Sequence, residues 1–205
     1  MKLPETHLTS RGFTVLGAGP DLLSELLHIL DFEAKKRGVP VDDYYAPGLS
    51  RSQVEDPLGQ IGISPPEELL VWWGWHNGIR SPKYMTRLDQ FSLDVAVSKY
   101  QHSDRGSESI FEWHPSWIHV AGSGNDGMAV CCDPTPSGVL VRSVSPSGSG
   151  TQPEETETQV VSLCTPITWE LLGIAKGWMR WNASDGHWDT DESRVPLEWA
   201  LTELI

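Results

Sequence analysis

The apolar positions of residues 21–37 recur with the period of an α-helix. Leucines stand three or four residues apart, which places them along one face of the helix. Pro20 suits the first turn, and a Lys-Lys-Arg run before Gly38 complements the negative end of the helix dipole. The pattern therefore predicts an amphipathic helix that ends at Gly38.

A second helix is predicted in the segment SPPEELLVWWGWHNG, where large apolar side chains fill about two turns. Ser64 can cap this helix, Pro65 fits its first position and Glu67 completes a capping box. The Asn77-Gly78 pair is expected to end the helix, since both residues accept the left-handed conformation of a C-cap. The tryptophans of this segment are Trp72, Trp73 and Trp75.

Capping and spacing signals predict further helices. A capping box at residues 50–53 opens a short helix that Pro57 must kink or end. Residues 92–100 fit a short helix, although their alternation also fits a strand. A helix is expected at 165–177, and residues 196–204 fit a terminal helix.

The pattern changes to strand-like alternation beyond the middle of the chain. Strands are predicted at 117–121, 128–132 and 139–144, separated by turns rich in Gly, Asn, Asp and Pro. Short turns join consecutive strands as antiparallel neighbours, so these strands form a meander. Residues 160–163 fit a fourth strand. The intervening segment 145–159 has the composition of a mobile loop.

The order of these elements resembles the SUKH superfamily, which is named after a fungal cell-wall-synthesis regulator and is abundant among bacterial toxin-immunity proteins. The segment Gly-Ile-Ser-Pro-Pro at 62–66 resembles the helix start of the family, and Asn77-Gly78 resembles its characteristic Asn-Gly pair. The segment SWIHVAGSGNDGMAVCCDPTPSGVLV at 116–141 resembles the central meander. The helix after Thr165 resembles the closing helix.

Pattern and resemblance together lead to a single SUKH-like domain over residues 1–205. We expect an α+β fold in which an antiparallel sheet of about four to six strands has helices packed on one side. Residues 50–178 form the family-like core, residues 1–49 a helical N-terminal extension and residues 179–205 a C-terminal extension. The sequence departs from the family where Pro65 replaces a leucine and where Pro57 interrupts the preceding helix.

The charge balance narrows the classes of function. The 205 residues include 15 basic and 28 acidic residues, for a formal net charge of −13. This balance argues against direct nucleic-acid binding, which requires Lys and Arg at the phosphates. No apolar run approaches the ~20 residues that span a bilayer, and the N-terminal segment lacks the apolar core of a signal peptide. We therefore expect a cytoplasmic protein with no membrane partner, and its three cysteines fit reduced thiols.

Sequence motifs for catalysis or metal binding do not stand out. The chain contains no HExxH and no GxSxG segment, and the Gly-rich stretch 122–127 lacks the Lys-Ser/Thr ending of a P-loop. Asp126 and Asp133 could pair as carboxylates, but each also suits turn chemistry. We expect no enzymatic activity, no cofactor and no metal. A hydrolytic enzyme that uses Asp and His groups near the meander is an open alternative.

Protein binding is the expected function. The resemblance implies an immunity protein that neutralises a polymorphic bacterial toxin by direct binding, and the second possibility is a SUKH-type scaffold in cell-wall or signalling regulation. Residues 150–205 carry ten acidic and three basic residues, which suits a basic partner such as a nuclease toxin. Core packing is expected for at least two of the clustered tryptophans, and a partner-facing position for one. The candidate partner-binding residues are Trp72, Trp73, Trp75, Glu154, Glu155, Asp185 and Asp189.

Overall fold

The computed structural model describes residues 7–8, 14–15, 17–80, 89–102, 116–123, 126–133, 141–144, 159–160 and 162–194. The fold is mixed α+β, and its strands pair antiparallel. The helices are α1 (Pro20–Lys36), α2 (Val41–Tyr44), α3 (Arg51–Gln60), α4 (Glu67–Trp75), α5 (Leu93–His102) and α6 (Cys164–Lys176). The strands are β1 (His7–Leu8), β2 (Thr14–Val15), β3 (Tyr45–Pro47), β4 (His76–Ile79), β5 (Trp117–Ser123), β6 (Asp126–Cys131), β7 (Val141–Val144), β8 (Gln159–Val160), β9 (Met179–Asn182) and β10 (His187–Thr190).

Helix α1 forms where the leucine pattern predicted it, and it lies at the centre of the molecule. Leu23, Leu26 and Leu27 are completely buried, and the helix packs against α4 and α6. The same core includes the buried Trp72 and Trp73 of α4. The helix that the sequence assigned to an N-terminal extension therefore belongs to the main hydrophobic core.

Helix α3 begins as predicted and continues further than predicted. The side chains and backbones of Ser50 and Gln53 form the expected capping box. Pro57 does not end the helix, which runs on to Gln60. The proline removes one hydrogen bond from the helix interior, but the completely buried Val54 and Leu58 hold the turns around it against the core.

The predicted cap of α4 is wrong. The helix begins at Glu67 with Pro66 as its N-cap residue, and no side chain caps it. A residue that precedes proline is driven out of the helical region by contact with the proline ring. Pro66 imposes this restriction on Pro65, which therefore cannot be the first helical residue after a Ser64 cap. Pro66 itself is extended, with a ψ of 158°, and serves as the N-cap residue.

The predicted C-cap of α4 is also wrong, because Asn77 and Gly78 lie in strand β4. The helix ends at Trp75. Gly78 has a φ of 80°, and a Cβ there would lie 2.4 Å from the backbone nitrogen of Ser92. The Asn77 side-chain oxygen accepts a hydrogen bond of 2.8 Å from the backbone N–H of Leu93, at the start of α5. The Asn-Gly pair thus supports the beginning of the next helix.

The later helices follow the sequence pattern. The ambiguous segment 92–100 is helical, as α5. Helix α6 covers the predicted closing helix and ends at Gly177, whose φ of 69° is left-handed. The predicted terminal helix at 196–204 and residues 145–158 of the predicted loop 145–159 lie outside the described residues, whereas Gln159 lies in strand β8. Of the predicted fourth strand at 160–163, Val160 lies in β8 and Leu163 is the N-cap residue of α6.

The predicted meander is confirmed. Strands β5, β6 and β7 are consecutive antiparallel neighbours, and β8 extends them to a four-stranded sheet in the order β5-β6-β7-β8. Its register pairs Ile118 with Val130. The other described strands form separate two-stranded sheets, β1 with β2, β3 with β4, and β9 with β10. The β9-β10 hairpin was not predicted from the sequence.

A buried carboxylate joins three distant parts of the chain. Glu68 on α4 is only 3% exposed. Its Oε1 accepts hydrogen bonds from the Gly19 backbone N–H at 2.9 Å and from the Ser162 hydroxyl at 2.7 Å, and its Oε2 accepts one from the Leu163 backbone N–H at 2.9 Å. Gly19 and Leu163 are the N-cap residues of α1 and α6. The negative charge therefore lies where two helix dipoles present their positive ends.

None of the helices in the described part of the chain is long and apolar enough to cross a membrane.

Replacing Glu68 by glutamine should destabilise the fold by about 2–4 kcal/mol, because the amide NH2 group would face backbone N–H donors in a buried site. Urea denaturation of Glu68→Gln measures this change. The matched control is Glu67→Gln on the same helix, where an exposed carboxylate pairs with Arg51 and contributes little. Equal stability of the two variants would contradict the role given to Glu68.

Replacing Gly78 by alanine should destabilise the fold by about 2–4 kcal/mol, because the left-handed backbone and the contact with Ser92 leave no room for a Cβ. Thermal and urea denaturation test this expectation. The control is Gly59→Ala in α3, where a Cβ meets nothing within 4 Å. That change should leave stability unchanged or raise it by up to about 1 kcal/mol, and a Gly78→Ala variant as stable as this control would refute the prediction.

Candidate functional site

A small cavity lies between helices α1, α2 and α6, the C-terminal end of α4 and the β9-β10 hairpin. Its volume is about 40 Å³. Its base is formed by buried residues that include Val39, Tyr44, Trp72, Gln90, Ile167 and Ile174. Its rim is formed by half-buried residues that include Asp31, Tyr45, Trp75, Glu170, Trp181 and Trp188. We call this site the aromatic cavity.

Aromatic rings in contact with one another build one wall of the aromatic cavity. The rings of Tyr45 and His76 are stacked, with centroids 4.5 Å apart and planes at 4°. Trp75 packs against both, at 5.3 Å from Tyr45 and 4.3 Å from His76. The short β3-β4 pair brings Tyr45 beside the end of α4, so residues about 30 positions apart in sequence share one wall.

The β9-β10 hairpin supplies a second aromatic pair. Trp181 and Trp188 lie opposite each other in the strand register, and their ring centroids are 5.9 Å apart. Both pack against a small apolar cluster formed by Ala34, Val39 and Val41. The hairpin is thereby fixed against the C-terminal end of α1, and its tryptophans complete the rim of the aromatic cavity.

Asp31 ties α1 to the end of α4. One of its carboxylate oxygens accepts a hydrogen bond of 3.0 Å from the Trp75 indole nitrogen, and the His76 Nε2 lies 3.2 Å from the carboxylate. The Asp31 side chain is 24% exposed, so it meets solvent at the rim. These contacts fix the orientation of Trp75 and place a carboxylate beside its ring.

The base of the aromatic cavity holds polar atoms without partners. Gln90 is 1% exposed, and its Nε2 donates to the carbonyl oxygens of Trp72 at 3.1 Å and His76 at 2.6 Å. Its Oε1 and the Trp72 Nε1 are buried and have no hydrogen-bond partner. A buried polar atom without a partner costs free energy, so an acceptor and a donor at this site have a physical reason to bind a ligand or a water molecule.

The surroundings of Tyr45 at the rim of the aromatic cavity oppose its ionisation. Burial raises the pKa of the Tyr45 phenol well above its usual value, and the carboxylates of Asp31 and Glu170 raise it further. Tyr45 is therefore a neutral phenol at physiological pH. Of these causes, burial disfavours a charge of either sign, whereas the carboxylates favour a positively charged group at the same place.

The sequence-predicted tryptophans divide between the core and this site. Trp72 and Trp73 are 1% and 0% exposed. The indole nitrogen of Trp73 donates to the Phe91 carbonyl at 3.1 Å, which fixes it in the core. Trp75 is half-buried at the rim of the aromatic cavity. Core packing thus applies to two of them, and Trp75 alone among them reaches the rim.

The sequence-predicted acidic residues that the structure describes lie on the hairpin. Asp185 and Asp189 are exposed, and the side-chain amide of Asn182 donates to them at 2.9 Å and 3.3 Å. His187 Nε2 lies 2.7 Å from the Asp189 carboxylate. Glu154 and Glu155 lie outside the described residues.

Most residues of the aromatic cavity were not singled out from the sequence. Asp31 stands in a helix whose leucines dominate the pattern, and Gln90 and Glu170 carry no local motif. A usable signal existed only for the hairpin, where Trp181 and Trp188 flank the Ser-Asp-Gly turn with alternating polar residues. The remaining members are brought together by contacts between distant segments.

Asp133 and the buried thiols are groups that an enzyme could use, while the side chain of Asp126 lies outside the described part of the structure. The Asp133 carboxylate accepts a hydrogen bond of 2.7 Å from the Ser116 hydroxyl across the base of the β5-β6 hairpin. Burial raises the pKa of the Cys132 thiol to about 12 and that of Cys164 to about 11, so both are protonated at physiological pH. Within the described ranges, no three His, Cys, Asp or Glu side chains converge in a way that could hold a metal ion.

Comparison with known proteins adds no family assignment to these observations. Neither the models of known protein families nor the curated proteins give a match to this sequence. The resemblance to the SUKH superfamily stays a prediction that depends on the order of the elements.

Replacing Asp31 by asparagine should destabilise the fold by about 1–2 kcal/mol, since it weakens the charge-assisted bonds to Trp75 and His76. Denaturation followed by tryptophan fluorescence measures the change. The control is Asp42→Asn, where an exposed carboxylate pairs with Lys35 and is expected to contribute little. If Asp31→Asn proved no less stable than this control, Asp31 would not be holding α1 to the end of α4.

Proposed function

We propose that this chain is a non-catalytic protein-binding domain of the SUKH type. In this proposal it is a cytoplasmic immunity protein that binds a basic bacterial toxin domain, such as a nuclease, and neutralises it by direct contact. The observation that carries the proposal is the juxtaposition of a half-exposed aromatic rim with an exposed acidic hairpin. Aromatic anchors surrounded by charge are typical of protein-binding surfaces.

The proposed binding region combines aromatic contacts at the rim with exposed charges on the β9-β10 hairpin, where Asp189 projects from the side opposite to Trp188. Trp75, Trp181 and Trp188 offer large apolar surfaces that are held in place by their neighbours, which lowers the entropy lost on binding. Asp185 and Asp189 lie on the same hairpin as two of these rings and are exposed. The aromatic side chains supply affinity, and the carboxylates attract a basic partner over distance.

The proposed SUKH-like core at residues 50–178 can be related to the elements that form the proposed binding region. In this proposal the sheet β5-β8 corresponds to the family sheet, and the packing of α5 against β5 supports that correspondence. The binding region is then formed by α1, the end of α4 and the β9-β10 hairpin. Two of these elements lie outside residues 50–178, so the binding specificity would come from the extensions of the core.

Neutralising the hairpin carboxylates should slow association with a basic toxin domain, for which the products of adjacent genes are the candidates to test. In the double variant Asp185→Asn and Asp189→Asn, we expect the association rate constant to fall about three- to tenfold at low salt while dissociation changes little. At high salt the difference should shrink, because exposed charges are screened over ~8–10 Å. Stopped-flow or biosensor kinetics at two salt concentrations measure both rate constants.

The matched control removes two exposed carboxylates elsewhere, in Asp56→Asn and Asp94→Asn on α3 and α5. It changes the net charge equally and should affect association much less. A folded chain that forms no complex with the toxin domain would contradict the immunity function and favour the scaffold alternative. Substrate turnover by the purified chain, lost on changing Asp133 to asparagine, would favour the hydrolytic alternative instead.

A further inference from the structure

The size of the aromatic cavity limits what can enter it. Pockets for metabolites and cofactors have volumes of about 300–1,000 Å³. The aromatic cavity, with about 40 Å³, is much smaller. It can hold the head group of one side chain, and nothing as large as a nucleotide or a coenzyme.

The walls of the aromatic cavity favour a flat cationic group. The rings of Tyr45, Trp75, Trp181 and Trp188 stand around the rim. A cation within about 6 Å of an aromatic face is attracted by the ring quadrupole, and a planar guanidinium can also stack on it. A primary ammonium is compact and more strongly hydrated than a guanidinium, so it loses more hydration free energy when it leaves water.

Carboxylates on two helices face the same space. Asp31 on α1 and Glu170 on α6 both line the aromatic cavity and are half-buried. The negative charges of Asp31 and Glu170 act on a ring at the rim of the aromatic cavity, since both help to raise the pKa of Tyr45. A guanidinium pairs with carboxylates through a fixed fork of donors, which an ammonium lacks.

The base of the aromatic cavity supplies an acceptor. Both hydrogens of the Gln90 amide nitrogen serve backbone carbonyls, so the unpartnered Oε1 is the polar atom left for a ligand. A guanidinium carries donors that would satisfy it. The unpartnered Trp72 Nε1 is a donor, and it would prefer a ligand with an oxygen, such as a neutral ureido group.

We propose that the aromatic cavity is a recognition site for one arginine side chain of a protein partner. The guanidinium stacks on the rim tryptophans, pairs with the rim carboxylates and donates to Gln90 at the base. The identity of the partner as a basic toxin rests on the proposed function, whereas the arginine chemistry rests on the residues of the cavity.

A titration with small probes tests the site on the whole chain without any toxin. Acetyl-arginine amide, acetyl-lysine amide and acetyl-citrulline amide share a backbone and differ in the head group. Each is added to ¹⁵N-labelled protein, and the indole N–H signals are assigned from single Trp→Phe variants. The arginine probe should shift the Trp75, Trp181 and Trp188 signals in a saturable way, and the other two probes should bind at least about fivefold more weakly.

Charge removal at the rim provides the second measurement. Glu170→Gln keeps the shape of the side chain and should weaken binding of the arginine probe about three- to tenfold. Glu25→Gln, an exposed change on α1 with the same loss of charge, should alter it less than twofold. If Glu170→Gln does not fold, the probe series on the unmodified chain decides the matter alone.

Two outcomes overturn the proposal. Equal binding of the arginine and citrulline probes would show that the Trp72 donor and hydrogen-bonding shape, not charge, govern the site. Probe-induced shifts confined to other tryptophans, or no saturable shift at all, would show that the aromatic cavity takes no arginine. If the chain forms a toxin complex but the arginine probe does not bind, the arginine site is refuted and the immunity function stands. If the arginine probe binds but no toxin complex forms, the arginine site stands and the immunity function is refuted.

Discussion

The buried carboxylate of Glu68 joins the three helices that form the frame of the structure. Glu68 reaches the N-termini of α1 and α6 from α4, and its contacts span 49 to 95 positions of the sequence. A carboxylate in this position is held by two helix dipoles and three donors, which offset the cost of removing its charge from water. Because α1, α4 and α6 form the frame on which the aromatic cavity is built, this contact also fixes the geometry of the candidate site.

The C-terminal end of α4 contributes the aromatic side chains of the candidate site. Trp75 is the last residue of α4 and His76 the first residue of β4, and they contact Asp31 of α1 and Tyr45 of β3. The side-chain amide of Gln90 donates a hydrogen bond to the His76 carbonyl. The rings of Tyr45, Trp75 and His76 are thus held by contacts with one another. The negatively charged side chains of Asp31 and Glu170 lie at the same rim. A rigid aromatic site with negative charge is suited to recognising cations, and the net charge of −13 extends the attraction beyond the contact itself.

Much of the fold could be predicted because its signals are local. The leucine spacing of α1, the Ser50-Gln53 capping box and the alternation in the meander each depend on neighbouring residues, and each is confirmed. The start of α4 was also decided locally, by the restriction that Pro66 places on the residue before it, and the capping pattern at Ser64 was misleading because that restriction outweighs it.

The sequence by itself therefore determined the helices with strong local signals, such as α1, α3 and α6, and that three of the strands form an antiparallel meander. Only the tertiary structure decided that Gly78 serves a close approach to Ser92, that Trp75 and not Trp72 reaches the surface, and that Glu170 and Asp31 line the same cavity. The physical reason is distance along the chain. Backbone preferences act between neighbours, whereas packing and hydrogen bonding select partners across the folded molecule, and no local pattern encodes which partners meet.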